Sequence, residues 1–142
     1  MARIAFEAKH LMAMIESSSR FEKCMRTLKI DSLGKGKCTA SLMVSEEHTN
    51  PMGTMHGGFS ASLVDSISSW ALLTHEKGNC FSVSVNMNMT YLQGAKEGEE
   101  VQVEANTIKV GRTLAFLEVF IKNKSNGNIL VRGEHTKFLK RE

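Results

Sequence analysis

The sequence predicts a single α+β domain in which one long helix packs on one face of an antiparallel sheet. Three observations predict it. From Phe59 the apolar residues Leu63, Val64, Ile67, Trp70 and Ala71 fall at helical spacing. From Phe81 to Tyr91 apolar and polar residues alternate, which is strand spacing. The 142 residues, without a Pro/Gly/Ser-rich linker or an internal repeat, suit one domain over 1–142 with a sizeable core.

In chain order, Ala2 to about Ser18 reads as an amphipathic helix. Ile4, Ala8, Leu11, Met12 and Ile15 form one stripe, and Ser17-Ser18-Ser19 is its stop. Phe21 to Asp31 is expected as a first strand, with poor alternation. Gly34-Lys35-Gly36 is the turn into a second strand, Lys37 to Val44. The long helix is expected to end near Lys77-Gly78, with glycine as the stop.

The clearest strand then places Phe81, Val83, Val85, Met87, Met89 and Tyr91 on one face. Ser82, Ser84, Asn86, Asn88 and Thr90 take the other. Solvent-facing edges usually carry Lys and Glu. Small neutral polar residues fit a wet pocket or a subunit seam as well as an edge. Glu97-Gly98-Glu99 is a turn. Strands Glu100 to Val110 and Thr113 to Lys124 meet at Gly111-Arg112. Asn126-Gly127 is a hairpin signal before a last strand, Asn128 to Leu139.

Composition excludes several classes. A formal charge of +3 is too slight to argue for nucleic acid. Scattered Lys and Arg make no basic membrane helix, and no apolar run is long enough to span a bilayer. Cys24, Cys38 and Cys80 are odd in number and form no Cys-x-x-Cys pair, which argues against a disulfide framework or a zinc site. A reducing compartment, hence a cytoplasmic protein, is expected. The N-terminus lacks the apolar core of a secretory signal. Its amphipathic character and Arg3 keep a mitochondrial location open, while Glu7 and Glu16 argue against a presequence. His10, His48, His75 and His135 lack metal-ligand spacing, and neither metal nor cofactor is implied.

The chain is organised around His48 to Asp65. Pro51 and Gly53 keep the first part irregular, and Gly57-Gly58 opens the long helix. A helix that begins at Gly-Gly presents bare N–H groups and the positive end of its dipole, a device that stabilises an oxyanion. Two turns on stands one carboxylate, Asp65. Gly-Gly is equally ordinary loop punctuation, and an Asp among Ser62, Ser66, Ser68 and Ser69 is equally part of a solvated face.

The run His48-Thr49-Asn50, Gly53, His56-Gly57-Gly58, Leu63-Val64-Asp65 and Ser82-Val83-Ser84-Val85 resembles the hotdog-fold acyl-CoA thioesterases of the phenylacetic-acid-degradation type. The likeness covers nearly the whole chain, through Gly133, His135, Thr136 and Lys137. It implies a hotdog fold, a curved antiparallel sheet wrapped around a long central helix, with an extra N-terminal helix. It also implies a homodimer, commonly paired into a homotetramer, and hydrolysis of fatty acyl-CoA to free acid and coenzyme A. By position it makes Asp65 the reacting carboxylate and the Gly57 N–H the oxyanion donor, with His56 beside it. Asn50 becomes the amide near the attacking water and Ser84 the assisting hydroxyl. Coenzyme A falls to Tyr91, Lys109, Val110, Gly111, Arg112, Thr113 and Lys137. Close relatives carry Asp where this chain has Asn86, which removes a charge from the site's edge.

Helix geometry adds an independent argument. Gly57 and Asp65 are eight residues apart, or about 12 Å along one helix. One carbonyl cannot be within about 3 Å of the Gly57 donor and also within reach of the same helix's Asp65. If both act on one thioester, the site draws on two copies of the helix. The rival expectations are a hotdog dehydratase or hydratase and a non-catalytic acyl-CoA binding module. The binding module would keep Gly57 and the basic turn but not need Asp65.

Overall fold

The computed structural model describes residues 7–142. Its elements are helix α1 (Ala8–Ser17), a 3-10 turn (Phe21–Met25), strands β1 (Lys29–Gly34) and β2 (Lys37–Met43), a second 3-10 turn (Glu46–His48), helix α2 (Gly57–Leu73), and strands β3 (Phe81–Tyr91), β4 (Glu100–Val110), β5 (Leu114–Asn123) and β6 (Ile129–Lys140). The strands form one sheet in the order β1-β2-β4-β5-β6-β3, with every neighbouring pair antiparallel. β1 and β3 are its edges.

Helix α2 lies on the inner face of the sheet. Leu63, Val64, Ile67, Trp70 and Ala71 are buried, as the helical spacing requires. They share one core with Ala40, Leu42, Val101, Val103, Val119 and Ile121. Burying one such aliphatic side chain is worth about 1.5–3 kcal/mol. At Gly133 a Cβ would lie 2.8 Å from Val64 Cγ1, so only glycine lets β6 come this close to the helix. In α1 the stripe buries Leu11 and Ile15 and half-buries Ala8 and Met12. Ile4 and the expected start at Ala2 lie outside the described residues.

Phe21 to Asp31 is not one strand. The 3-10 turn buries Met25 and leaves Phe21 exposed, and β1 starts only at Lys29. Buried Met25 and Leu28 are three apart, the period of a 3-10 turn, which is why strand alternation is poor here. The β1–β2 turn is the expected one. Lys35 and Gly36 both take left-handed φ, 51° and 77°, as a two-residue hairpin of this hand needs.

Helix α2 ends at Leu73, before the expected Lys77-Gly78. Thr74 Oγ1 donates to the Ala71 carbonyl at 2.7 Å and accepts the Gly36 N–H at 2.9 Å, tying the helix end to the β1–β2 turn. Gly78 serves close approach instead: a Cβ there would lie 2.3 Å from the Leu72 carbonyl oxygen.

The largest correction concerns β3. Ser84 faces Lys137 across to β6, and Asn86 faces Thr136, so Val85 bulges out of the pairing. One extra residue reverses the alternation beyond it. Ser82 and Ser84 share the inner face with Met87, Met89 and Tyr91, opposite the buried Leu139, Lys137, His135, Gly133 and Val131. Phe81, Val83, Asn86, Asn88 and Thr90 share the outer face. The polar and apolar faces expected from strict alternation are therefore each split at Val85. Asn86 lies on the opposite face from Ser84, so its missing charge does not touch the ground around Asp65.

Candidate active site

The sequence-predicted catalytic residues gather into two groups at different points along α2. The first is built on the loop before the helix. Asn50 Oδ1 accepts the Met52 and Thr54 N–H groups at 3.0 and 3.2 Å, and its Nδ2 donates to Thr54 Oγ1 at 2.9 Å. A tight turn at Pro51-Met52, closed by the Gly53 N–H on the Asn50 carbonyl at 2.9 Å, completes the loop. Asn50 thus shapes its own loop. His48 is buried beneath, stacked on Phe59 with ring centroids 4.4 Å apart. Burial pulls its pKa down.

His56 is the N-cap of α2. Its Nδ1 accepts the Gly58 N–H at 2.8 Å, which leaves the neutral ring's proton on Nε2. The Tyr91 hydroxyl donates to the Gly57 carbonyl at 2.8 Å. As the first residue of the helix, Gly57 has no intrahelical acceptor for its N–H, and no described residue supplies one. A cavity of about 360 Å³ opens alongside, lined by Asn50, Met55, Gly57, Ser60, Tyr91 and Val131. That is the size of a small-molecule pocket.

The second group surrounds Asp65, whose carboxylate is half exposed. His135, wholly buried on β6, stands below it with Nε2 3.9 Å from Asp65 Oδ1. Its Nδ1 is 2.8 Å from Ser68 Oγ and its Nε2 2.7 Å from Ser84 Oγ. Ser68 Oγ donates to the Asp65 carbonyl at 3.2 Å. In the tautomer that lets Ser68 keep this bond, the imidazole proton is on Nδ1 and Ser84 is the donor to Nε2. Burial holds the His135 pKa down at about 4; the Lys137 ammonium pushes the same way and the Asp65 carboxylate opposes it. Lys137 is itself buried, donating to Ser69 Oγ at 2.6 Å. Burial lowers its pKa, against the pull of Asp65. In that tautomer Ser84 gives its hydrogen to His135, so its oxygen and the Asp65 carboxylate are two acceptors gathered at one nitrogen. Two acceptors bind both hydrogens of a water and leave its lone pair free.

The basic turn is the β4–β5 hairpin. Lys109, Arg112 and Thr113 are exposed, and Val110 and Gly111 half-buried. Val110, Ala115, Lys137 and Ser84 lie in one row across four strands, so the hairpin stands about 14 Å from Ser84. Lys137 belongs to the Asp65 group and not to this hairpin. Tyr91 belongs to the Gly57 group.

Three contributors escape a reading of the sequence. Taken by itself, His135 is a histidine without metal spacing, and Ser68 is one serine among several. Arg141 holds the hairpin, its guanidinium donating to the carbonyls of Arg112 at 2.9 Å, Gly111 at 3.2 Å and Lys77 at 2.9 Å. The one signal for His135 is the Gly133-x-His135-Thr136-Lys137 run of the resemblance. Among the described residues no three His, Cys, Asp or Glu side chains converge as metal ligands, and no helix is long and apolar enough to cross a membrane.

A long helix cradled by a curved antiparallel sheet, opening on a free glycine N–H and bearing a carboxylate two turns on, is the hotdog fold in its thioesterase form. The family profile of the thioesterase superfamily matches residues 52–130. The chain belongs to that superfamily, within its acyl-CoA thioesterases. It is 41% identical over 131 residues to acyl-coenzyme A thioesterase 13 of Homo sapiens, covering 92% of this chain and 93% of that one. The crystal structure of zebrafish thioesterase superfamily member 2 matches with a TM-score of 0.89 at 41% identity, covering 93% of this chain and 95% of that one. A mutant structure of the phenylacetic acid degradation protein PaaI from Thermus thermophilus matches with a TM-score of 0.72 at 26% identity, covering 80% of this chain and 93% of that one.

Proposed function

We propose that the protein hydrolyses fatty acyl-CoA thioesters of medium to long chain to the free acid and coenzyme A, at sites each shared by two copies of the chain. The observation that carries the shared site is the split along α2. A free donor stands at Gly57 and a carboxylate with its water acceptors at Asp65, about 12 Å apart on one helix. The open edge of β3, whose inner face bears Ser84 and Tyr91, supports pairing with a second copy.

In this reading the thioester carbonyl oxygen rests on the Gly57 N–H of one copy. Asp65 and Ser84 of the other copy hold the water. Asp65 takes a proton as the water oxygen attacks the carbonyl carbon, and the oxyanion forms against the Gly57 donor. The C–S bond then breaks and the thiolate takes the proton back from Asp65. The acceptor character of Ser84 favours this general-base route over direct attack by Asp65. Lys109 and Arg112 suit the phosphates of the nucleotide. His135, the histidine beside Asp65, is not free to move a proton at carbon as a hydratase would need, because serines engage both of its ring nitrogens.

The test is free-thiol release across acyl-CoA chain lengths from short to long. Turnover should peak at medium to long chains. A folded protein that releases no thiol from any of them would overturn the hydrolase reading.

A further inference from the structure

The Gly57–Gly58 peptide is gripped at both ends. The Tyr91 hydroxyl donates to its carbonyl oxygen at 2.8 Å, and His56 Nδ1 accepts its N–H at 2.8 Å. The same two rings account for the two glycines. A Cβ on Gly57 would lie 3.3 Å from Tyr91 Cε1 and Cζ, and a Cβ on Gly58 would lie 3.0 Å from His56 Nδ1. Each glycine makes room for the ring that holds it. This matters because a Gly-Gly helix start is the most mobile kind, with no side chain to restrict φ and ψ and few intrahelical bonds. An oxyanion donor must be held within about 10–20° of its productive direction. With the 57–58 plane fixed, the torsions on its two sides are restricted, and the neighbouring Gly57 N–H is aimed.

We infer that Tyr91 is a positioning residue for the oxyanion donor, acting through its hydrogen bond to the Gly57 carbonyl. The inference rests on the thioesterase reading and deepens it. Tyr91 reaches Gly57 only because the bulge at Val85 turns it inward, so strand β3 itself sets the start of the helix.

Tyr91→Phe is the informative variant, since it keeps the ring against Gly57 and removes only the hydroxyl. kcat should fall about three- to tenfold, the scale of one lost hydrogen bond. The loss should be the same for an acyl-CoA and for the matching N-acetylcysteamine thioester, which lacks the nucleotide, and KM should hold for both. An unchanged kcat, or a rise in KM for the coenzyme A substrate without a fall in kcat, would overturn the inference. A second readout needs no activity: amide hydrogen exchange at Gly58 should quicken in Tyr91→Phe while melting temperature stays near wild type. Unchanged exchange at Gly58 removes the clamp even if the enzyme is active. Quickened exchange in a protein whose wild type releases no thiol would keep the clamp but overturn its catalytic role along with the hydrolase reading.

Discussion

Ser84 and Tyr91 stand on the same face of β3 although seven positions separate them, because Val85 bulges between them. In a regular strand an odd separation puts two side chains on opposite faces. The bulge lets one strand serve both groups of site residues. Ser84 reaches His135 beneath Asp65, and Tyr91 reaches the Gly57 carbonyl at the start of α2. Bulges commonly sit beside active sites for this reason: they re-aim a side chain without breaking the sheet.

Asp65 and Ser84 should be unequal in mutation. Asp65→Asn keeps the shape and removes the base, so turnover of acyl-CoA should fall roughly 100-fold or more. Ser84→Ala removes one of two water acceptors and a partner of His135, and should cost about tenfold. Steady-state thiol release measures both. Wild-type turnover in Asp65→Asn would refute the assignment of the base.

The buried imidazole of His135 makes stability depend on pH. Its pKa is about 4 in the fold against 6.5 unfolded, lowered first by burial. As pH falls from 6.5 towards 4, the unfolded chain takes up a proton that the folded chain refuses, and stability is lost. Above 6.5 both states are neutral and the group contributes no pH dependence. The full loss is about 3 kcal/mol by pH 4. His135→Asn should be less stable at neutral pH, with Ser68 and Ser84 left short of a partner, but its stability should fall less steeply on acidification. Urea unfolding at pH 7, 5.5 and 4 measures the two slopes. His48, whose pKa is also lowered by burial, adds a slope of the same sign to both proteins. Parallel curves would show that His135 is not the group that titrates.

The helix and hairpins are legible in the sequence because local rules govern them. Leu63, Val64 and Ile67 are buried whichever strands lie opposite, and Glu100–Val110 emerges with its expected bounds. The face of Ser84 is not local. Ser-Val-Ser-Val-Asn-Met-Asn-Met alternates smoothly through the bulge, and only pairing with β6 decides which residue is extruded. His135 is illegible for a similar reason. It lies 51 residues from Ser84 and 67 from Ser68, and meets them because β6 sits between β5 and β3 under α2. Gly57 and Asp65 could be singled out because both lie on one helix, where separation in sequence converts directly into distance.

In the proposed function the basic hairpin separates grip from chemistry. Lys109 and Arg112 are exposed on the β4–β5 turn, about 14 Å from Ser84. Lys109→Ala with Arg112→Ala should raise KM for acyl-CoA about tenfold and leave kcat near wild type. A nucleotide-free thioester should show little change in either constant. An equal rise in KM for both substrates would exclude a role in holding phosphates.

The shared site can be tested by mixing two inactive proteins. One carries Asp65→Asn. The other carries Gly57→Pro, which removes the donor, or Asn50→Ala, which loosens the loop that Asn50 holds through Met52 and Thr54. If each site takes Gly57 from one copy and Asp65 from the other, a mixed dimer contains one site with both lesions and one with neither. Random exchange makes half of all dimers mixed, so activity should return to about one quarter of wild type in a closed two-fold assembly. If each site were built within one chain, every chain would still carry a lesion and mixing would restore nothing. Asn50→Ala is the safer partner, because proline at the start of the helix also disturbs the Tyr91 contact with Gly57. Exchange is followed with differently tagged subunits. Confirmed exchange without recovered thiol release would sink the two-copy site and leave the hydrolase reading standing.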